Sequence, residues 1–147
     1  VGRLRSRGFE LEASYRLRGS WLFTGSYTFD DATLIESDDP RLIGKQVRQV
    51  ARHQYVLRTS FDRPSIVSSS IQARFVGDRY EDDLNTLPVE QLFVVDVMAS
   101  RLVARWMEAF VTVENVFDEE YEVRLTSSGL VEIGAPRLVQ AGLRLNF

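Results

Sequence analysis

Cysteine is absent from the 147 residues, which excludes disulfides and thiolate metal sites. Histidine occurs once, as His53, so neither a His-rich metal centre nor a relay between two imidazoles can be built. A Ser-His-Asp set can be drawn on paper, but no serine occupies a nucleophile elbow, and His53 reads as a residue at the start of a strand. There is no phosphate-binding glycine loop. No segment approaches the ~20 uninterrupted apolar residues of a spanning helix. The basic start VGRLRSRG lacks the apolar core of a signal peptide. An excess of one charge is missing too: 18 Lys+Arg against 21 Asp+Glu leave a net charge of −3, giving no electrostatic reason to expect nucleic acid as a partner. Repeats and low-complexity tracts are also lacking. A hydrophobic content of 44% argues against disorder, and the length suits one domain. Because the chain opens on Val rather than Met, a processed product or a piece of something longer is expected.

What is present is alternation. FELEASYRL sets Phe9, Leu11, Ala13, Tyr15 and Leu17 against Glu10, Glu12, Ser14 and Arg16. After Arg18-Gly19-Ser20, WLFTGSYTF sets Trp21, Phe23, Tyr27 and Phe29 against Thr24, Ser26 and Thr28. HQYVLRTSF and VSSSIQARF repeat the pattern on either side of the turn Asp62-Arg63-Pro64-Ser65, and RLVQAGLRLNF repeats it to Phe147. LFVVDVMAS and MEAFVTVENVF alternate less cleanly, and a helix over residues 97 to 110 is the alternative there. Valine and aromatic content on both flanks favours two strands around a turn near Val103 to Trp106. The expectation is seven antiparallel strands of about nine to eleven residues, a length that suits a tilted bilayer crossing.

Turns after the first, third and fifth strands are short, about three to six residues. Those after the second, fourth and sixth are long and charged: DDATLIESDDPRLIGKQVRQVAR, GDRYEDDLNTLPVEQ and DEEYEVRLTSSGLVEIGAP. Such sorting by rim is expected of an outer-membrane barrel and has no reason in a soluble sandwich. Alternation alone does not say whether the apolar face points in or out, since a lipocalin-like pocket mirrors a membrane barrel. The polar face carries Glu10, Glu12, Arg16, Arg58, Arg74, Asp96, Glu114 and Arg144, which suits a wet lumen and not lipid. Aromatics gather in two belts, Trp21, Phe61, Trp106 and Phe147 near the short-turn rim and Phe29, Phe75, Phe93 and Phe117 near the other. Small residues beside large ones on the apolar face (Ala13, Gly25, Ala73, Ala141) point the same way. The acids of GDRYEDD offer oxygen to a hard cation, yet they lack the spacing of a calcium loop and read better as a solvated charged loop.

At VENVFDEEYEV the sequence resembles a known family. Val113, Asn115, Phe117, Asp118 and Tyr121 are similar to the segment that leads into the last extracellular loop of TonB-dependent outer-membrane receptors. GAPR before a final strand ending in Phe resembles the same family's terminal hairpin. GFELEASY, WLFTGSYTFDDA and RFVGDRYEDDLN resemble its other strands and loops in the expected order. One departure is Val50-Ala51-Arg52-His53, where such receptors often carry a proline.

The resemblance implies an all-β fold: a segment of an antiparallel up-and-down transmembrane β-barrel, with residues 1–147 forming the C-terminal part of a barrel of about 22 strands. It places the chain in the Gram-negative outer membrane. The plug domain, the earlier strands and the contact with the TonB-type energy-coupling protein would lie upstream. Partners so implied are outer-membrane lipid, the rest of the barrel and plug, the barrel-assembly machinery and a small-molecule ligand such as a metal chelate. Ferric siderophores are the commonest cargo, with cobalamin, haem and glycans as other options. Gln140, Gly142, Leu145 and Phe147 match the assembly signal of such barrels. No enzymatic activity is implied, and no catalytic, cofactor or metal residue is assigned. The rival is a small self-closing barrel with a structural or adhesive role, whose eighth strand would have to come from the short, basic, poorly alternating VGRLRSR.

Overall fold

The computed structural model describes residues 2–126 and 129–145. Phe147, expected in the assembly signal and in one aromatic belt, lies outside the described residues. The strands are β1 (Arg3–Leu17), β2 (Trp21–Glu36), β3 (His53–Arg63), β4 (Val67–Val76), β5 (Arg79–Tyr80), β6 (Pro88–Val89), β7 (Leu92–Ala104), β8 (Met107–Glu114), β9 (Glu122–Leu125), β10 (Val131–Ile133) and β11 (Leu138–Leu145). Seven of them form one antiparallel sheet in the order β1-β2-β3-β4-β7-β8-β11. Every neighbour in the sheet is also the next long strand in the chain, so this is an up-and-down meander with β1 and β11 at its two edges. β5–β6 and β9–β10 are two-stranded ribbons inside the long loops. No helix among the described residues is long and apolar enough to cross a membrane, which says nothing about crossing by strands.

Register makes the alternation continuous across the sheet. Directly opposed residues share a face, and the rows read Leu11, Tyr27, Tyr55, Phe75, Phe93 and Ala13, Gly25, Leu57, Ala73, Val95. On the far side Val97, Val113 and Val139 align, as do Ala99, Val111 and Ala141. Between the belts the odd-numbered residues of all seven strands therefore lie on one face; the two register shifts, at Arg3/Leu4 and at Leu102/Ala104, fall at strand ends. Leu11 and Leu57 are each 60% exposed on that face. Small residues there are matched to large neighbours: Leu57 leans over Gly25, where an added Cβ would stand 3.1 Å from Leu57 Cδ2.

Two belts border the odd face. Trp21 packs on Phe61 at 4.8 Å between centroids beside the short turns. At the other rim Phe9, Tyr27, Tyr55 and Phe75 form a chain of rings, with Tyr27 and Tyr55 stacked at 4.5 Å. His53 opens β3 in this belt, its Nδ1 2.9 Å from the Tyr27 hydroxyl. From Trp21 to Phe29 the strand runs ~27 Å, or roughly 20 Å along the membrane normal at a tilt of ~40°, close to the height of an outer-membrane apolar band. Spin labels at Leu11, Leu57 and Ile71 of the full-length protein are expected to be relaxed by lipid-soluble oxygen, and labels at Glu12, Arg58 and Gln72 by water-soluble quenchers. The opposite pattern would reverse the assignment of faces.

The even face carries paired polar groups. Arg58 Nε donates to Gln72 Oε1 at 3.0 Å, and Arg144 Nη1 donates to Glu108 Oε2 at 2.8 Å. Gly142 sits opposite Phe110, whose ring lies where a Cβ would be, 2.7 Å from Cζ. That gives Gly142 a packing reason independent of any assembly signal.

The two strands expected around a turn near Val103 to Trp106 are β7 and β8, which meet at Arg105–Trp106, and the alternative helix over residues 97 to 110 is absent. The turns Arg18–Ser20 and Pro64–Ile66 have three residues, within the expected range, and Arg105–Trp106, with two, is one residue shorter. DDATLIE is strand rather than loop, since β2 continues to Glu36. VGRLRSR is no eighth strand either: from Arg3 on it is the start of β1 and pairs with that extension of β2. The pattern looked poor because its polarity inverts. Beyond Phe9 and Phe29 the odd positions become Arg7, Arg5 and Arg3 opposite Asp31, Thr33 and Glu36. Their even neighbours Ala32 and Leu34 turn inward, with Ala32 buried. Strands that rise past the apolar band meet headgroups and water on their outer face, so alternation survives with its signs exchanged.

Candidate functional site

The long loops, residues 37–52, 77–91 and 115–137, all lie at one rim. The last begins where Glu114 ends β8. Asn115 follows with φ 50° and Asp118 with φ 56°, left-handed conformations that Asn and Asp tolerate better than most residues. Asn115 is 3% exposed and fully engaged. Its N–H donates to Asp96 Oδ1 at 3.0 Å, and its Nδ2 donates to the carbonyls of Glu119 at 2.9 Å and Ala135 at 3.1 Å. Its Oδ1 accepts from Glu119 N–H at 2.9 Å. Asp118 Oδ1 accepts from Arg137 N–H at 2.8 Å, and Arg137 Nη2 stands 3.6 Å from Oδ2. The Tyr121 carbonyl accepts from Gly134 N–H at 2.8 Å. The Tyr121 ring lies so close over Gly134 that a Cβ there would stand 2.1 Å from it.

The two segments noted in the sequence, Asn115 to Tyr121 and Gly134 to Arg137, are thus halves of one clamp that closes the base of the third loop. Val113 lies on the odd face between Val97 and Val139, and Phe117 is 66% exposed with no ring partner among the described residues. Gln140, Gly142 and Leu145 are apart from this clamp, on the edge strand opposite Thr112, Phe110 and Met107.

Above the clamp the three loops are bonded to one another, with the middle one at the centre. Asn85 Oδ1 accepts from Gln46 N–H at 2.8 Å while Asn85 Nδ2 returns a bond to the Gln46 carbonyl at 2.9 Å. Glu81 Oε1 accepts from Gln49 Nε2 of the first loop at 2.8 Å and from Arg124 Nε of the third at 3.2 Å. Arg79 Nη2 donates to the Val123 carbonyl at 2.9 Å. Beneath them Val89 is fully buried, and Ala51, Leu92 and Val94 are nearly so. A recess of about 430 Å³ opens between the loops, bordered by Arg48, Glu81, Asp83, Leu87 and Arg124.

The acids of GDRYEDD serve this architecture. Asp78 accepts from Gln91 N–H and Asp83 stands 3.6 Å from Arg48. Asp82 closes a turn, its Oδ1 accepting the N–H groups of Thr86 at 2.8 Å and Leu87 at 2.7 Å and its Oδ2 the Thr86 hydroxyl at 2.8 Å. Among the described residues no three His, Cys, Asp or Glu side chains are grouped to hold a metal. Partial burial alone would raise the Asp82 carboxyl, but the bonds from Leu87 and Thr86 outweigh it and hold it below its ordinary value of 3.8. A depressed carboxyl stabilises the fold above its unfolded pKa and loses that contribution as pH falls through the folded value. Protection of the Leu87 amide from hydrogen exchange is therefore expected to hold down to about pH 4 and to drop below it. Asp82→Asn should lack that protection already at neutral pH; equal protection in the two proteins would remove the carboxylate's role.

The long-range partners Gln46, Gln49, Asn85, Glu81 and Arg124 carry no pattern in the sequence, since each meets its partner across tens of residues. Only the clamp had a local signature.

A meander whose odd face is apolar between two aromatic belts, with a polar inner face and bonded loops at one rim, defines a sector of an outer-membrane β-barrel wall. Residues 1–116 match the family model described as "TonB dependent receptor-like, beta-barrel", and the chain belongs to that family. It is 32% identical over 154 aligned residues to the ferrichrome outer membrane transporter/phage receptor of Escherichia coli (strain K12), covering 99% of this chain and 20% of that protein. It is 26% identical to the ferrioxamine B receptor of Salmonella typhimurium (strain SL1344), covering 100% and 22%. The fold matches the crystal structure of the ferric yersiniabactin uptake receptor FyuA from Yersinia pestis with a TM-score of 0.88 at 22% identity, over 99% of this chain and 24% of that one. The chain thus spans about a fifth of the length of these relatives.

Proposed function

We propose that residues 1–147 are the C-terminal part of the barrel of a receptor that imports a ferric siderophore across the outer membrane. A plug lies within the full barrel, and energy comes from a TonB-type protein at the inner membrane. The observation that carries this reading is the match over nearly the whole chain to receptors whose names specify ferrichrome and ferrioxamine B. The loop assembly supports it, because three mutually bonded loops at one rim offer a preformed surface for capturing a small chelate. Mechanistically, this segment supplies capture and a path: the loops hold ligand, even-face groups such as Arg58, Gln72 and Arg144 line the lumen, and the plug moves. No covalent chemistry is required of it. In assembly, the segment that holds Gln140, Gly142, Leu145 and Phe147 is the signal that the barrel-assembly machinery recognises.

The self-closing barrel is disfavoured because β1 and β11 stand at opposite ends of the sheet. The test is uptake of iron-55 ferrichrome and ferrioxamine B by cells with and without the full-length receptor under iron limitation. Receptor-dependent uptake of one of these that collapses on adding a protonophore is expected. Uptake of ferric chelates unchanged by loss of the receptor would overturn the reading.

A further inference from the structure

The short-turn rim carries two cations on the lipid side, on strands of the sheet that have a neighbour on each side. Arg63 ends β3 and pairs with Val67 of β4. One step past the Ser68–Ser100 pair the same row reaches Arg101 of β7, which pairs with Ala109 of β8. All four are odd positions, two residues beyond the row Phe61, Ser69, Ala99, Val111. At ~3.4 Å per residue and a tilt of ~40°, they lie roughly 5 Å outside that row along the membrane normal. Phe61 belongs to the aromatic belt, so the arginines stand at the depth of headgroups rather than hydrocarbon.

Neither cation is neutralised. Arg63 Nε donates to the Ser20 hydroxyl at 2.9 Å, a neutral partner. Arg101 is exposed and has no ion-pair partner among the described residues. The carboxylates of this rim, Asp62 and Glu108, fall on the even face and are engaged there. Asp62 Oδ1 accepts from the Ser68 hydroxyl at 2.6 Å, and Glu108 Oε2 accepts from Arg144 at 2.8 Å. The Leu102 N–H donates to the Pro64 carbonyl at 3.2 Å, which ties the two turns together and holds the arginines at a set spacing. Two strand intervals put their Cα atoms ~10 Å apart, close enough for two long side chains to converge on one phosphate with charge-assisted bonds.

Beside Arg101 the outward face is hollow. Ala99 and Ala109 leave an open recess of about 290 Å³, bordered by Val67 and Val111 and running from the arginine toward the apolar band. A cation at headgroup depth joined to an apolar trough matches one phospholipid, with phosphate at one end and an acyl chain at the other. We propose that Arg63, Arg101 and the Ala99–Ala109 trough form a site for an anionic phospholipid of the inner leaflet. Two cations with no carboxylate on their face favour a headgroup of net negative charge over a zwitterion. The assignment rests on the receptor reading only for placing the short-turn rim on the periplasmic side.

The test uses full-length receptor in detergent with phosphatidylglycerol or phosphatidylcholine of identical acyl chains, scored for retained lipid by native mass spectrometry. Wild type is expected to retain phosphatidylglycerol preferentially. Arg63→Gln with Arg101→Gln should weaken that retention roughly tenfold to thirtyfold. Arg63→Lys with Arg101→Lys keeps the charge and should retain most binding, and Arg74→Gln on the inner face should change nothing. Ala99→Phe fills the trough at constant charge and should also weaken retention; unchanged binding in that variant overturns the chain's place in the trough. Equal retention of the two lipids, or retention that ignores the Gln substitutions, overturns the proposal. Competition by glycerol 3-phosphate as effective as by the lipid overturns the lipid assignment. A Ser65→Cys variant checks the orientation separately, since an impermeant thiol reagent should label it only after the outer membrane is permeabilised. Labelling on intact cells would overturn the inner-leaflet assignment. Labelling confined to permeabilised cells, with arginine-independent lipid retention, would leave the receptor reading standing and this inference refuted.

Discussion

Asn115→Ala is expected to open the third long loop while leaving the barrel wall intact. The substitution removes two donors and one acceptor from a buried site, stranding the carbonyls of Glu119 and Ala135 and the Glu119 N–H. It also asks alanine to hold φ 50°. At ~1 kcal/mol for each lost bond and ~1 kcal/mol for the left-handed backbone, local stability should fall by about 3–4 kcal/mol. The locally open population should rise at least a hundredfold, or roughly so. Limited proteolysis of intact cells displaying the full-length receptor reads this directly as cleavage within residues 119–137. Asn115→Gly relieves the backbone but not the bonds, so it should be cleaved less than the alanine variant and far more than wild type. Wild-type resistance in Asn115→Ala would mean that the clamp is held by Asp118–Arg137 and Tyr121–Gly134 without it.

A charge in the middle of the odd face should have an effect of similar size on the barrel itself. Leu57 lies at mid-strand, between the belts, flanked by Gly25 and Ala73. Leu57→Arg would place a guanidinium near the bilayer midplane, at a cost of ~2–4 kcal/mol. Val56→Arg, one residue away on the face that already holds Arg58 and Arg74, should cost under ~1 kcal/mol. Urea unfolding of the full-length protein in lipid vesicles compares the two. A larger loss in Val56→Arg would exchange the lipid and lumen faces.

Much of this wall was legible in the sequence because period-two alternation is a local property that lipid on one side and water on the other impose residue by residue. Phe9 to Leu17 and Leu138 to Leu145 needed no partner to be recognised. Legibility failed where the solvent changed. Arg3, Arg5 and Arg7 alternate as regularly as Phe9 and Leu11, but with cations outward, so against apolar odd positions they read as poorly alternating. The same happened at Asp31 and Thr33, which read as loop.

In the candidate site, Asn115, Asp118 and Tyr121 were visible as a motif, and the structure supplies the reason: each fixes a left-handed turn or a bond to the Gly134–Arg137 segment. The bonds of Glu81 and Asn85 to other loops were invisible, because nothing in a stretch of loop announces which distant amide its carboxylate will accept.

The position of Glu81 between Gln49 and Arg124 has an evolutionary consequence. Surface loops exposed to predators and competitors are ordinarily free to drift one at a time. Here a change in residues 77–91 that removes this carboxylate strands a side chain in each of the other two loops. The three segments are therefore expected to be inherited as a single cassette. Among descendants, variation at residues 49, 81 and 124 should be correlated, and recombination should succeed when it transfers residues 37–137 together.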